Sequence, residues 1–169
     1  MCKNFKDSQK REEYMWETYG SIIKDILTKN NPLAKIERIN GILDYLCGID
    51  AVVVNPIRNI NSIRFISLRI LNNNYDTFTF RKTHSNKQDE LEKLLSLYNP
   101  SPSYHIQITE GKLGTQIAIL DVLKLSMHVE KNIEFWEIIS NYIKKAERND
   151  YYSIPIAKFK RFIKIIDLK

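Results

Sequence analysis

The stretch from Leu43 to Arg81 constrains the fold of this chain more than any other part of the sequence. It contains three short runs rich in Val, Ile, Phe and Thr, which read LDYLCGIDAVVV, SIRFISLRIL and YDTFTFR and are separated by Asn-rich segments. Val, Ile, Phe and Thr favour strands and Asn favours turns, so this stretch predicts three neighbouring β-strands. We therefore expect a β-sheet at the centre of the fold.

Helical patterns lie on both sides of these strands. Apolar residues recur at three- and four-residue spacing over about 8–28, 87–98 and 132–145, which predicts three amphipathic helices. Two further strands, 103–109 and 115–121, flank the turn sequence EGKLG and predict a hairpin. This order predicts a mixed α/β fold with a central mixed sheet of about five strands flanked by helices.

The chain has 169 residues and a net charge of +6, and the charge is unevenly distributed. Its length fits one domain, 1–169, which we expect to end in a basic helical segment over about 144–169. That segment has eight Lys or Arg against three Asp or Glu, a net +5. A concentrated positive charge suits a polyanionic partner such as nucleic acid, although a solvated lysine-rich helix face gives the same pattern. The residues predicted to contact nucleic acid are Arg81, Lys158, Lys160, Arg161 and Lys164.

The sequence also predicts where the protein resides. No apolar run approaches the roughly 20 residues that a membrane span requires, so we expect no membrane partner. The first residues are charged and lack an apolar segment, which argues against a secretory signal. Cys2 and Cys47 fit neither a disulfide framework nor a zinc site. We therefore expect a cytoplasmic location.

Short motifs within this framework resemble the PD-(D/E)XK nuclease superfamily. GID at 48–50 opens an apolar strand, ISLR at 66–69 lies in the next strand, and FTFR at 78–81 closes the third. With Asp44 six residues before Asp50, ELEKL at 90–94 and AILDVL at 118–123, the chain is more narrowly similar to small uncharacterised phage and mobile-element proteins at the edge of that superfamily. The resemblance covers roughly 14–123 and implies a restriction-endonuclease-like core in a bacterial or phage-infected cell.

The resemblance implies a Mg²⁺-dependent endonuclease that acts on DNA, with Asp50 as a metal ligand. Ser67 stands where the superfamily has Glu or Gln, and Arg69 stands where it has Lys. Serine brings no charge and arginine cannot be deprotonated to act as a base, so a second carboxylate is needed. Asp44 is the first choice for that metal ligand, followed by Glu37, Glu13 or Glu17. Arg69 would orient a water molecule or neutralise charge on the phosphate.

Two alternatives from other functional classes stay open. A catalytically inactive relative would bind nucleic acid or a protein through the same sheet edge and the basic C-terminal segment. A phage or mobile-element interaction protein, such as an inhibitor of a host system, would instead need a protein partner or form a homodimer. Each of these residues also has a purely structural alternative, in which Asp44 and Asp50 cap the turn around Gly48, Arg69 forms an ion pair with one of them, and Arg81 ends an exposed strand.

Overall fold

The computed structural model describes residues 3–39, 49–57, 60–71, 76–82, 89–96, 101–111, 114–144 and 150–168. In chain order, the elements are α1 (Lys3–Thr28), β1 (Lys35–Arg38), β2 (Ala51–Ile57), β3 (Ile60–Leu71), β4 (Thr77–Arg81), α2 (Glu90–Leu95), β5 (Tyr104–Gly111), β6 (Gly114–Asp121), α3 (Val122–Lys131), α4 (Ile133–Ser140), β7 (Ile143–Lys144), β8 (Tyr151–Pro155), a 3-10 turn (Ile156–Phe159) and β9 (Ile163–Leu168).

The strands form two sheets. The central sheet has the order β1-β2-β3-β5-β6-β9, in which β3 and β5 are parallel and the other neighbours are antiparallel. The second sheet has the order β4-β8-β7 and is antiparallel. The prediction of a mixed α/β fold with a central mixed sheet flanked by helices is confirmed, with six described strands in place of about five.

Helix α1 covers one face of the central sheet. Its apolar residues recur at every fourth position, so Met15, Tyr19 and Ile23 share one face of the helix and are buried. They pack against alternate residues of the sheet, among them Ile106 and Ile108 of β5. The predicted helix over 8–28 is thus confirmed. Among the described residues, no helix is long and apolar enough to cross a lipid bilayer.

The opposite face of the central sheet is covered by the second sheet together with α2, α3 and α4. Phe78 and Phe80 of β4 are fully buried there and pack with Phe159 and with residues of α3. The β5–β6 hairpin that was predicted also forms. It closes at Gly114, where φ is +122° and an added β-carbon would lie 3.1 Å from the carbonyl oxygen of Leu168, so glycine is required.

The predicted C-terminal helix is wrong. The described residues of 144–169 form the end of β7, β8, the 3-10 turn and β9. Phe159, Phe162 and Ile163 have helical spacing, but Ile166 packs on the opposite side of the central sheet from them. A run with three isoleucines in six residues instead adds the strand β9 to the sheet. The predicted 132–145 helix also ends earlier, at Ser140, and α3 was not predicted.

Candidate functional site

Strand β3 carries the two central residues of the predicted catalytic motif, and its alternation decides where they point. Ile66, Leu68 and Ile70 belong to the apolar cluster under α1. Because successive side chains of a strand point to opposite faces, Ser67 and Arg69 face the second sheet. Both residues make their contacts in the layer between the two sheets.

Arg69 is held by β4 and α2. Its Nη1 atom donates a hydrogen bond to the Thr79 carbonyl oxygen at 2.7 Å and forms an ion pair with Glu90 Oε2 at 3.1 Å. The same carboxylate oxygen accepts a hydrogen bond from the Arg81 backbone N–H. Glu90 is the first residue of α2, and the preceding Asp89 accepts a hydrogen bond from the Tyr152 hydroxyl at 2.7 Å, which anchors the start of that helix on β8.

Gln107 completes this arrangement from β5. Its side chain is fully buried, and its Oε1 atom accepts from the Thr79 N–H at 3.1 Å. Its Nε2 atom donates to the Thr77 carbonyl oxygen at 2.8 Å. β4 lies at the edge of the second sheet, so its outer backbone groups need partners that a neighbouring strand would otherwise supply. Arg69, Glu90 and Gln107 supply them, and we call these three residues the side-chain clamp.

Ser67 is buried beside His105. The Ser67 hydroxyl lies 3.1 Å from His105 Nδ1, and the imidazole ring packs against the rings of Phe78 and Phe80. Burial, assisted by the nearby positive charge of Arg69 and opposed by Glu90, lowers the pKa of His105 to about 4. His105 Nε2 has no hydrogen-bond partner among the described residues. This serine–histidine pair is buried, with 7% of Ser67 and 1% of His105 exposed, so it helps to fill the interior.

Asp50 immediately precedes β2 and is half-buried. Its Oδ2 atom accepts a hydrogen bond from the Leu68 N–H at 2.6 Å, so the carboxylate lies against β3 between the positions of Ser67 and Arg69. Arg69 pairs with Glu90, and the described residues show no ion pair between Arg69 and Asp50. Asp44 lies outside the described residues.

Of the two predicted metal ligands, Asp50 alone lies in the part of the chain that the structure describes. There, no three His, Cys, Asp or Glu side chains come together as a group that could hold a metal ion. The other carboxylates predicted as the second metal ligand are exposed. Glu13 and Glu17 lie on α1, and Glu37 lies on β1. A three-carboxylate magnesium site is therefore not assembled by the described residues.

The predicted nucleic-acid contacts separate into two places. Lys158, Lys160 and Arg161 are exposed on the 3-10 turn and the residues after it. Arg81 pairs with Tyr151 at one end of the β4–β8 ladder, whereas the 3-10 turn follows Pro155 at the other end. Four residue steps of extended chain separate those ends by about 13 Å. The fifth predicted residue, Lys164, lies on β9.

Two residues of β5 that the motif comparison did not single out also contact the second sheet. His105 and Gln107 alternate with Ile106 and Ile108 in β5. That period of two marks one apolar and one polar face, and it was visible in the sequence as YHIQIT. Glu90 was included in the ELEKL motif, but the sequence did not identify its partners, because they come from β3 and β4.

Comparison with known proteins gives no match, whether with models of protein families, with curated proteins or with solved structures. The nuclease resemblance therefore stays a prediction from short motifs.

Proposed function

We propose that the protein binds nucleic acid, with DNA favoured, through a surface formed by Lys158, Lys160 and Arg161, which we call the basic turn. The observation that carries this proposal is that three exposed cations lie on a turn whose phenylalanine side chain is buried. Phe159 is fully buried between them, and its carbonyl oxygen accepts from the Phe162 N–H at 2.7 Å. The Asp121 N–H donates to the Phe162 carbonyl oxygen at 2.8 Å and ties the turn to β6.

The charge of the basic turn is available to a partner. Within the described ranges, no carboxylate lies within salt-bridge distance of Lys158, Lys160 or Arg161. The Lys158 ammonium lies 6.0 Å from the centre of the Tyr142 ring, a cation–π distance that leaves its hydrogen-bond donors exposed. Exposed cations without a bound carboxylate suit phosphate contacts. Each cation that neutralises a phosphate releases counterions, and that release favours binding.

The side-chain clamp favours binding over hydrolysis. Arg69 would have to reach a phosphate to act in catalysis, but its Nη1 atom is engaged by Glu90 and by the backbone of β4. Ser67 is enclosed with His105. Of the residues at the motif positions, Arg69 thus joins the central sheet to β4, and the exposed cations lie elsewhere. This arrangement supports the catalytically inactive alternative more than the nuclease.

The test is a salt titration of DNA binding. A variant with Lys158→Gln, Lys160→Gln and Arg161→Gln should bind a labelled oligonucleotide more weakly than the parent protein. The slope of log K against log salt should fall by about 0.7 to 0.9 for each lost phosphate contact. Fluorescence anisotropy at several salt concentrations measures both quantities.

A matched control removes the same charge from other exposed sites. Lys10→Gln, Arg11→Gln and Lys131→Gln lie on α1 and α3 and leave the basic turn intact. This control should retain the parent slope. Equal weakening in both triple variants would show that net charge alone attracts the DNA and would contradict a defined site on the turn.

Magnesium-dependent DNA cleavage is the second candidate, and the position of Asp50 favours it. The Leu68 N–H holds its carboxylate on β3, next to the residues to which the resemblance assigns catalysis. A plasmid and oligonucleotide cleavage assay with Mg²⁺ or Mn²⁺ tests this candidate beside Asp50→Ala and Arg69→Ala. Metal-dependent cleavage that Asp50→Ala abolishes would establish the enzyme, and no cleavage by the parent protein would exclude it for these substrates.

A further inference from the structure

Strand β9 leads from the basic turn to the region beside α1. Ile166 and Leu168 of β9 pack in the apolar cluster under α1. Lys164 is two residues before Ile166, so its side chain leaves the strand on the same side. Arg161 of the basic turn lies three residues earlier, no more than about 10 Å away along an extended chain. Lys164 is therefore close enough to continue the cationic surface of the turn.

Lys164 lines an open groove between β9 and the last turns of α1. The other residues that line it are Ile22, Asp25, Ile26, Lys29 and Asn30. Ile22 and Ile26 are four residues apart, on one face of the helix, and give the groove an apolar floor. Lys29 and Lys164 supply cations. Asp25 supplies one carboxylate, which lies 3.8 Å from the Lys24 ammonium and is partly neutralised by it.

Lys29 occupies this place in an unfavourable backbone conformation. It directly follows α1 with φ of 56°, and Asn30 follows with φ of 60°. The Asn30 N–H donates to the Asp25 carbonyl oxygen at 2.9 Å, which closes the helix. Glycine is the usual residue at such a helix end because a β-carbon is strained at positive φ. A lysine is uncommon at such an angle, and strained backbone positions are concentrated at functional sites.

We propose that this groove is a binding site for single-stranded nucleic acid, with Lys29 and Lys164 contacting phosphates and bases lying on Ile22 and Ile26. The proposal rests on the proposed function, since it extends the basic turn into a longer site. A single strand fits this chemistry because it presents phosphates and unpaired apolar base faces together. A duplex hides its base faces in the stack and would use only the cations.

The experiment compares two substrates and four variants by fluorescence anisotropy. The substrates are oligothymidine of about 16 nucleotides and a duplex of the same length. The variants are Lys29→Gly, Lys164→Gln, the basic-turn triple variant and the control Lys131→Gln, which lies on α3 and therefore across the central sheet from α1. Lys29→Gly is informative because it removes the side chain and also relieves the strained backbone.

The parent protein should bind the single strand about tenfold more tightly than the duplex, a difference that corresponds to about 1.4 kcal/mol. Lys29→Gly and Lys164→Gln should each lower the salt slope for the single strand by about 0.7, whereas Lys131→Gln should leave it unchanged. The melting temperature of Lys29→Gly should stay level or rise. Weaker binding by a variant that is at least as stable would separate a contact from a folding defect.

Three outcomes overturn this inference, and they differ in what they say about the proposed function. Equal affinity for both substrates would contradict binding in the groove but not binding at the basic turn. The same conclusion would follow if the groove variants behaved like Lys131→Gln while the basic-turn variant bound weakly. Absence of binding to either substrate would overturn both proposals.

Discussion

The two faces of the central sheet are covered in different ways, although the same strands present both. On β5, Ile106 and Ile108 face α1, whereas His105 and Gln107 face the second sheet. A helix satisfies its own backbone hydrogen bonds and needs only an apolar surface to pack on. β4 lies at the edge of its sheet, so its outer N–H and C=O groups have no described neighbouring strand to pair with. The surface on which β4 packs must therefore supply hydrogen-bond donors and acceptors.

The polar contacts of the two faces also differ in position. On the α1 face they lie at the margin, where the Tyr14 and Tyr19 hydroxyls both donate to Glu110 Oε1. Burial, followed by that hydrogen bond, raises the pKa of Tyr19 to about 12. On the other face, the fully buried Gln107 lies between the sheets. A polar group costs more when it loses its partner in the interior, so mutations should affect the two faces unequally.

The largest expected effect comes from Gln107→Leu. The substitution keeps the side chain close to its original size but leaves the Thr79 N–H and the Thr77 carbonyl oxygen without their partner. Each orphaned buried group costs about 1–3 kcal/mol, so we expect the free energy of unfolding to fall by about 4 kcal/mol. Urea denaturation followed by circular dichroism measures this loss.

Ile108→Val is the matched variant on the other face of the same strand. Ile108 is fully buried under α1, and removal of one methylene group should cost about 1 kcal/mol. If Gln107→Leu proved no more destabilising than Ile108→Val, the clamp would contribute little and the comparison between the faces would fail.

His105 should make stability depend on pH through the same layer. Burial lowers its pKa from 6.5 to about 4 in the folded protein, so the unfolded chain binds the proton first as pH falls. The histidine therefore contributes nothing to the pH dependence above about pH 6.5, and it destabilises the fold progressively between pH 6.5 and pH 4. The loss across that window should be about 3 kcal/mol.

The measurement is the free energy of unfolding of the parent protein and of His105→Gln at a series of pH values. His105→Gln should be less stable at neutral pH but should lose less stability toward pH 4. The carboxylates that titrate in the same range are common to both proteins, so the difference between the two curves isolates the histidine. Parallel curves would mean that His105 becomes protonated in the folded state without cost.

These contacts also show how much of the structure could be predicted from the sequence. The strand pattern of 51–57, 60–71 and 77–81, the first helix and the β5–β6 hairpin follow from periodicity and turn residues, which are local. The placement of β4 in a separate sheet is not local. The spacing of residues on β3 is the same whether Arg69 faces a phosphate or the backbone of β4, so the motif alone could not distinguish catalysis from a clamp. The C-terminal strand was missed because Phe159, Phe162 and Ile163 have the spacing of a helix face.

The smallest effect, and the sharpest comparison of the two faces, comes from two ion pairs of similar exposure. Arg69–Glu90 lies in the clamp with 27% and 39% of the side chains exposed, and Arg38–Glu12 joins β1 to α1 with 39% and 37% exposed. A double-mutant cycle of Arg69→Ala with Glu90→Ala should give a coupling energy near 1 kcal/mol, whereas the cycle for Arg38 and Glu12 should give about 0.3 kcal/mol. The clamp pair should couple more strongly because Thr79 and Arg81 hold both side chains in place through backbone hydrogen bonds. Coupling energies of the same size would show that these backbone contacts add no rigidity, and the clamp would then act as a set of independent hydrogen bonds.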